Sequence, residues 1–291
     1  MDGLGVCAVI ITFRPDTAVL DNLAKVRPQV DGLVVVDNGS SSEQLARFRA
    51  LTGQLGFTLL ENGVNLGIAA ALNAGVRSAW SQGFKLVALF DQDSTVTDGF
   101  IEAMLAEYES HPQPERVGIV TPAQVERRTG CKRATEDAKD GTPLTAITSG
   151  SLIPIKIFAC CGLFEDDLFI DCVDHEFCLR VRSFGFTIVE SKRAVLLVAV
   201  GHHTVHHMCG IRIESTHHSA QRRYYMTRNR LVLVRRYWAR HPGWSLGKLR
   251  AIVKETIALC LVEDGRKRKL VNTMRGIHDA MRGRMWKVVE P

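Results

Sequence analysis

Within its first 91 residues the chain alternates short apolar runs with segments of helical spacing, and this alternation restricts the fold more than any other feature. The apolar runs cover residues 6–13, 33–36, 57–61 and 86–90. Strands that alternate with helices form right-handed βαβ units, which assemble into a largely parallel sheet. The sequence therefore predicts an α/β fold that is Rossmann-like, with a mostly parallel central sheet and flanking helices.

Polar residues follow each of these runs at the point where the predicted strand ends. The four ends carry Thr12, Asp37, the 61–67 loop, and the pair Asp91 and Asp93. The carboxyl ends of parallel strands lie at one edge of the sheet, and ligands of open α/β sheets bind at that edge. We therefore predict that the first part of the chain is a nucleotide-binding half-domain.

Asp91 and Asp93 are two positions apart, so their carboxylates can share one hard divalent cation. Mg²⁺ typically takes one or two protein carboxylates and fills its remaining positions with water and substrate phosphate. The chain has no G-x-G-x-x-G after the first run and no G-x-x-x-x-G-K-[ST], the loops that cradle phosphates elsewhere. We therefore predict that Mg²⁺ or Mn²⁺ at Asp91 and Asp93, together with a basic group from elsewhere in the chain, neutralises the phosphates.

A second group of acids, Asp171, Asp174 and Glu176, lies at the start of a predicted helix. Acids there are favoured by the positive end of the helix, which is a structural role. A carboxylate held rigidly at a helix start is also well placed to act as a general base. The residues alone leave both interpretations open.

Basic and aromatic side chains are mixed over residues 222–230. They form either a solvated helix face or an arginine cluster that clamps a diphosphate, because guanidinium groups match phosphate oxygens. Composition does not decide between the two.

The net charge of +6 conceals a gradient along the 291 residues. Residues 1–110 carry a charge of −6, residues 111–200 carry −1, and residues 201–291 carry +13. The acidic part suits a bound cation, whereas a basic tail suits nucleic acid, anionic lipid or a phosphorylated ligand.

The sequence has no membrane span of about 18 apolar residues and no basic segment leading into an apolar one at its N-terminus. Its eight cysteines contain no C-x-x-C pair and lie mostly in apolar stretches, as expected for reduced thiols. We therefore expect a cytoplasmic location.

Two amphipathic helices are predicted after residue 240. Their apolar stripes consist of Leu246, Leu249, Val253, Ile257 and Leu261, and of Leu270, Met274, Ile277, Met281, Met285 and Val288. From Arg266 to Lys287 there are eight basic residues and one acid, Asp279. We expect the first helix to pack on the main domain, and the second either to pack there or to bind an anionic membrane surface.

Seven motifs occur in an order that resembles a known family. They are Ile10-Ile11-Thr12-Phe13, Val36-Asp37-Asn38-Gly39-Ser40, Asn65-x-Gly67 running to Asn73-x-Gly75, Phe90-Asp91-Gln92-Asp93-Ser94, Thr148-Ser149-Gly150, Asp171-x-x-Asp174-x-Glu176-x-x-x-Arg180 and Arg223-Tyr224-Tyr225-x-x-Arg228-Asn229. Over about residues 6–236 the chain resembles family 2 glycosyltransferases of the GT-A fold. Within that family it resembles the bacterial dTDP-rhamnosyltransferases of surface-polysaccharide assembly.

The resemblance implies specific roles for residues of this chain. The nucleotide sugar would be bound by Thr12, Asp37, Asn65, Gly67, Asp91 and Arg228, the metal by Asp91 and Asp93, and the acceptor by Ser149, Gly150 and His175. Asp174 matches the position of the catalytic base. The Q-x-x-R-W element of processive synthases is absent, which argues against a polymerising transmembrane synthase.

The implied function is an inverting, metal-dependent transfer of L-rhamnose from dTDP-rhamnose to a saccharide hydroxyl. The expected acceptor is lipid-linked, in O-antigen or capsule-type biosynthesis at the inner face of the cell membrane. One alternative is a family 2 transferase that uses another dTDP-deoxysugar or a UDP-hexose, and another is a sugar nucleotidyltransferase. No recognised nucleic-acid motif is present, so we predict no nucleic-acid partner.

The implied domain organisation has two parts. Residues 1–236 would form the GT-A domain, with a nucleotide-sugar half over about 1–110 and an acceptor half over about 111–236. Residues 237–291 would form a basic, helical C-terminal region.

Overall fold

A computed structural model describes residues 4–127, 129–132, 136–138, 140–198, 204–208, 211–215, 217–285 and 287. The chain divides into two compact units. Unit 1 comprises Met1–Asp166 and Asp174–Ala199, and unit 2 comprises Asp167–Val173 and Val200–Pro291. Residue 236 lies within unit 2, and the domain boundary expected there stays a prediction.

Strands and helices alternate through the first hundred residues, as the sequence predicts. The strands are β1 (Val6–Thr12), β2 (Gly32–Asp37), β3 (Thr58–Glu61), β4 (Leu86–Asp91), β5 (Thr95–Val96), β6 (Val117–Glu126), β7 (Glu136–Asp137), β8 (Pro143–Thr145), β9 (Leu152–Pro154), β10 (Thr187–Val198), β11 (Thr204–Met208) and β12 (Ile211–Ser215). The helices are α1 (Ala18–Val26), α2 (Ser42–Leu55), α3 (Ile68–Ser81), α4 (Phe100–Ser110), α5 (Ile155–Cys161), α6 (Val173–Ser183), α7 (Ala220–Tyr237), α8 (Pro242–Val262) and α9 (Arg266–Arg282).

The central sheet of unit 1 has the strand order β3-β2-β1-β4-β9-β6-β10-β5. β3, β2, β1 and β4 are parallel neighbours, which confirms the predicted parallel arrangement of these four strands. β9 then pairs antiparallel with both β4 and β6. The sheet is therefore parallel in its first half and mixed in its second, where no βαβ alternation is visible in the sequence.

Local sequence signals fix several element ends in unit 1. Ser41 and Gln44 form a reciprocal capping box at the start of α2, and Gly56 ends that helix in the left-handed conformation. Gly75 lies where α3 crosses β1, because a Cβ atom there would come within 2.2 Å of Val9 Cγ1. A small residue is thus needed for this helix to pack directly on the sheet.

Unit 2 is organised around α7, which contacts both α8 and α9. Gly276 of α9 permits a close crossing, since a Cβ atom there would lie 2.7 Å from the Tyr224 carbonyl oxygen. The Tyr224 hydroxyl donates to Asp279 at 2.8 Å, and Arg223 pairs with Glu263 at 2.7 Å. Polar contacts from α7 therefore hold the C-terminal helices.

Several side chains of the predicted apolar stripes of the C-terminal helices are exposed. Exposed apolar side chains are Leu246, Val253, Ile257 and Leu261 on α8, and Val271, Met274 and Met281 on α9. α8 contacts α7 and β12 within unit 2, and its buried positions are Trp244, Ser245, Ala258 and Leu259 rather than the predicted stripe. Trp286 and Val288 lie outside the described residues, and no helix in the described part of the chain has the length and apolar character of a membrane span.

Candidate active site

The carboxyl ends of β2, β1 and β4 bring three predicted site residues together in unit 1. Thr12 is the register partner of Asp37, and Ile11 is that of Asp91. The Thr12 hydroxyl donates to Asp37 Oδ1 at 3.2 Å, and both side chains are buried. The strand ends thus form the common edge that the sequence predicts.

Asp37 folds the turn that follows β2. Its Oδ2 accepts hydrogen bonds from the backbone of Gly39 at 3.0 Å and of Ser40 at 2.8 Å, and its Oδ1 accepts one from the Ser40 hydroxyl. Gly39 has φ +98°, and a Cβ atom there would lie 2.6 Å from the Val64 carbonyl carbon. The Asp-Asn-Gly-Ser sequence therefore predicts the turn correctly, and a nucleotide contact by Asp37 stays a prediction.

Asn38 is a residue whose role the sequence reasoning missed. Its Nδ2 donates to Asn65 Oδ1 at 3.1 Å and to the Gly67 carbonyl at 3.2 Å, and its Oδ1 accepts from Leu66 N at 3.0 Å. Asn65 in turn accepts from Gly67 N at 2.9 Å. Asn65 and Gly67 thus belong to a hydrogen-bonded junction between β2 and the start of α3. The sequence signal that could have identified Asn38 was its place within the turn motif that follows β2.

The Asp91-Gln92-Asp93 loop presents two exposed carboxylates from a braced backbone. Gln92 Oε1 accepts from Phe13 N at 2.9 Å, and the Gln92 carbonyl accepts from Asn22 Nδ2 at 2.8 Å. The middle residue therefore ties the loop to the end of β1 and to α1. Asp91 and Asp93, on either side of it, are exposed.

Ser149 and Gly150 also brace this loop. The Ser149 hydroxyl accepts from Asp91 N at 3.1 Å and shares a 2.6 Å hydrogen bond with Ser94. Gly150 N donates to the Leu89 carbonyl at 2.6 Å, and Gly150 has φ +79°. Both residues are buried and these contacts hold the loop, whereas an acceptor contact by either of them stays a prediction.

The exposed pair suits a metal shared with a substrate phosphate. The described residues contain no group of three or more His, Cys, Asp or Glu side chains placed to hold a metal ion by themselves. Mg²⁺ sites of nucleotide enzymes often use only one or two carboxylates, because phosphate and water complete the shell. Asp91 and Asp93 fit that type of site.

The acids near the start of α6 have separate roles. Glu176 is buried and paired with Arg180 at 2.8 Å. Arg180 also donates to the Leu163 carbonyl at 2.8 Å, so this pair is structural. Asp174 is half-buried, with a 2.7 Å hydrogen bond from His175 N to its Oδ1, and His175 is also half-buried. Of the two acids within α6, Asp174 is therefore the better candidate for chemistry.

In unit 2 the predicted diphosphate ligand Arg228 is fully buried. Its Nη2 donates to the carbonyls of Asp167 at 2.9 Å and Leu168 at 3.3 Å, and its Nε donates to Asn229 Oδ1 at 2.9 Å. Its Cζ lies 5.0 Å from the Tyr225 ring centroid. These contacts connect Arg228 to the loop before α6, and a diphosphate contact by Arg228 stays a prediction.

The parallel strands with carboxylates at their ends are typical of α/β proteins that bind ligands at this edge of the sheet, and comparisons with known proteins specify the family. The model for "Glycosyl transferase family 2" matches residues 7–168, more than half of the chain. The chain therefore belongs to glycosyl transferase family 2, and it is a glycosyltransferase.

A curated relative and several solved structures are similar to this chain. The dTDP-rhamnosyl transferase RfbF of Shigella flexneri is 29% identical over 248 residues, which cover 79% of each chain. The mannosyltransferase PcManGT of Pyrobaculum calidifontis, solved with GDP-Man and Mn²⁺, is 16% identical with a TM-score of 0.59, covering 98% of this chain and 88% of that one. S. aureus TarS 1–349 with UDP is 11% identical with a TM-score of 0.54, covering 99% and 94%.

A longer TarS structure is matched over only 37% of its length. At these identities the structural likeness establishes the fold alone, and it confirms the predicted GT-A fold.

Proposed function

We propose that the chain is an inverting rhamnosyltransferase that moves L-rhamnose from dTDP-rhamnose to a saccharide hydroxyl in cell-surface polysaccharide biosynthesis of the O-antigen or capsule type. The similarity to RfbF over 79% of the chain carries the choice of donor. The edge formed by Thr12, Asp37 and Asp91 supports a nucleotide at that position, since ligands of such sheets bind beyond the carboxyl ends of strands.

In this mechanism Asp174 acts as the general base. It takes the proton of the acceptor hydroxyl, whose oxygen forms a bond to the anomeric carbon while the bond from that carbon to the phosphate oxygen breaks. The products are the glycosylated acceptor and dTDP, and one displacement inverts the anomeric centre, unlike the two-step route of retaining enzymes. Asp91 and Asp93 would hold Mg²⁺ or Mn²⁺, which when bound supplies charge neutralisation of the diphosphate leaving group.

The base assignment is tested by Asp174→Asn, which keeps the shape of the side chain and removes its basicity. A general base typically contributes ~10²–10⁴-fold, so kcat should fall by about that factor while dTDP affinity is retained. Asp98→Asn, at an exposed aspartate of the same unit, is the matched control and should keep full turnover. Near-normal kcat in Asp174→Asn would remove Asp174 from this role.

Donor and metal are tested together by calorimetric binding of dTDP, dTDP-rhamnose, UDP-glucose and UDP-GlcNAc with Mg²⁺, Mn²⁺ or EDTA. The expected result is metal-dependent binding of the dTDP compounds that is lost in Asp93→Ala. Preferred binding of UDP-sugars would instead favour the alternative family 2 donor. Synthesis of dTDP-sugar from dTTP and a sugar 1-phosphate would identify the nucleotidyltransferase alternative.

The surface of α8 and α9 supports a peripheral location on the inner face of the cell membrane, where a lipid-linked acceptor would be available. Met274 and Met281 of α9 are 62% and 76% exposed. Arg268, Arg275 and Arg282 are exposed at seven-residue intervals beside them, which places the three arginines along one side of the helix. Exposed apolar side chains flanked by cations match the boundary of an anionic bilayer.

Flotation with phosphatidylglycerol-containing liposomes tests this surface. The full-length protein should float at low salt, and it should do so less with neutral liposomes. The double variant Met274→Ser/Met281→Ser should lose flotation, whereas Phe184→Ser, at an exposed aromatic of unit 1, should keep it. A protein that stays with the soluble fraction but elutes as a dimer, which the double variant converts to a monomer, would assign the surface to a second copy instead.

A further inference from the structure

The loop that precedes α6 has an unusual backbone. Phe169, Asp171 and Cys172 have φ values of +61°, +65° and +65°. None of these residues is glycine, and a left-handed residue of this kind persists only where its surroundings enforce the conformation. The segment from residue 167 to residue 173 therefore requires external support.

α7 provides this support through a set of contacts within unit 2. Asn229 Nδ2 lies within hydrogen-bond distance of the carbonyl oxygens of Leu168 at 2.8 Å, Ile170 at 2.8 Å and Asp171 at 2.9 Å, so its two hydrogens are shared among three acceptors. A single amide group thus holds three carbonyl oxygens of one short loop. The side chain is completely buried, so water cannot replace these hydrogen bonds.

Three further side chains of α7 act on the same segment. Arg228 donates to the two carbonyls of residues 167 and 168. Arg222 forms a bidentate pair with Asp171, with nitrogen–oxygen distances of 3.0 and 3.2 Å. The Tyr225 ring stacks on Phe169 with centroids 5.0 Å apart. The strained residues are therefore held from the backbone and from both of their larger side chains.

The held segment leads directly along the chain into Asp174, the second residue of α6. We propose that Asn229, Arg228 and Arg222 are positioning residues, which hold the 167–173 loop in its strained conformation and thereby set the orientation of the Asp174 carboxylate. This inference rests on the proposed function of Asp174. It gives the Tyr-Tyr-x-x-Arg-Asn motif a role in the proton-transfer step rather than in diphosphate binding.

The test compares turnover with nucleotide affinity. Asn229→Ala should lower kcat at least tenfold and leave the Kd for dTDP with Mg²⁺ within twofold of the wild-type value. The acid limb of the kcat–pH profile should also move, because the environment of the base changes. Arg222→Gln, at a half-exposed side chain that can be replaced without burying a charge, should show the same split to a smaller extent and covers the case in which Asn229→Ala does not fold.

A second-site substitution separates loop support from general stability. Glycine adopts positive φ without the steric cost that other residues incur. Cys172→Gly in the Asn229→Ala background should therefore recover part of the lost kcat, whereas Cys161→Gly, at a buried cysteine outside the loop, should not.

Three results would overturn the proposal. An unchanged kcat in both Asn229→Ala and Arg222→Gln would show that the loop does not orient the base. A large rise in the dTDP Kd of Arg228→Lys with unchanged kcat would restore the diphosphate role. A loss of kcat with no shift of the pH profile and no recovery by Cys172→Gly would indicate a purely structural effect. Failure of the proposed function is a separate result, because the wild-type protein would then not bind dTDP and Asp174→Asn would keep its turnover.

Discussion

Glu263 offers the sharpest test of what stabilises unit 2. Its side chain is fully buried between α8 and α9. One carboxylate oxygen accepts from Ser215 and Arg223, both at 2.7 Å, and the other accepts from Lys269 at 2.7 Å. Burial opposes its ionisation, but the hydrogen bonds from Lys269 and Ser215 and the charge of Arg223 hold the pKa of Glu263 below its usual range.

Glu263→Gln should therefore destabilise unit 2 by about 3 kcal/mol. Removing one partner of a buried ion pair typically costs ~3–5 kcal/mol, because the remaining charges lose their compensation. The lower end applies because Arg223 keeps a 2.8 Å ion pair with Glu255. Glutamine also retains an oxygen that can accept from Ser215.

The assay is urea unfolding at pH 7, followed by tryptophan fluorescence in a Trp80→Phe background. The three remaining tryptophans all follow residue 237, so the fluorescence reports on unit 2. Glu255→Gln is the matched control, because its carboxylate is 28% exposed and should cost about 1 kcal/mol. Equal effects of the two substitutions, or a loss below about 1 kcal/mol for Glu263→Gln, would refute the reasoning.

The pH dependence gives the same prediction an independent check. The pKa of Glu263 is lowered by folding, so its contribution is complete above the ordinary glutamate value of ~4.3 and is lost as the pH falls through the folded pKa. The difference in free energy of unfolding between wild type and Glu263→Gln should therefore shrink on acidification below about pH 4. A difference that stays constant with pH would show that the charge of Glu263 does not cause the stabilisation.

Three further predictions concern single positions. Gln92→Leu removes the acceptor for Phe13 N and should weaken metal-dependent dTDP binding about tenfold by calorimetry, whereas Gln92→Glu keeps an acceptor and should do less harm. Gly276→Ala forces a Cβ atom against the α7 backbone and should lower the free energy of unfolding in urea by ~1–3 kcal/mol. The control is Gly247→Ala, which has open space around it and should stabilise α8 by about 0.5–1 kcal/mol. Burial, followed by the charge of a neighbouring arginine, lowers the pKa of His218 to about 4. The free energy of unfolding should therefore fall as the pH drops from 6.5 to 4, because only the unfolded chain binds the proton in this range. His218→Gln should reduce this pH dependence of the urea midpoint.

The parallel half of the sheet could be predicted from sequence because each of its signals is local. An apolar run, the polar residue that ends it and the following helix specify a βαβ unit without reference to distant residues. The second half of the sheet could not be predicted in this way. β9 is a short strand that pairs antiparallel with β4 and β6. Those strands end at Asp91 and Glu126, far before β9 begins at Leu152, so tertiary packing and not local sequence sets the pairing.

The C-terminal stripes show a second limit of sequence patterns. The spacing of Leu246, Val253, Ile257 and Leu261 indicates a common face of one helix, and the structure gives them that common face. Periodicity does not specify what covers the face. The buried side of α8 instead contains Ala258 and Leu259 together with two polar-tipped residues near its start, which the hydrophobic pattern did not single out.

The arginine-rich part of α7 shows why site residues are harder to assign than folds. Composition over residues 222–230 is equally compatible with a phosphate clamp and with an internal scaffold. The difference lies in the partners: Arg222 contacts Asp171, Arg223 contacts Glu255 and Glu263, and Arg230 contacts Glu255. Each of these acids is distant in sequence, so the pairing is invisible until the chain is folded. A guanidinium that already compensates a carboxylate gains less from a phosphate, because the new contact leaves the old partner uncompensated. The cations that remain exposed, on α9, are therefore better candidates for meeting an external anion than those of α7.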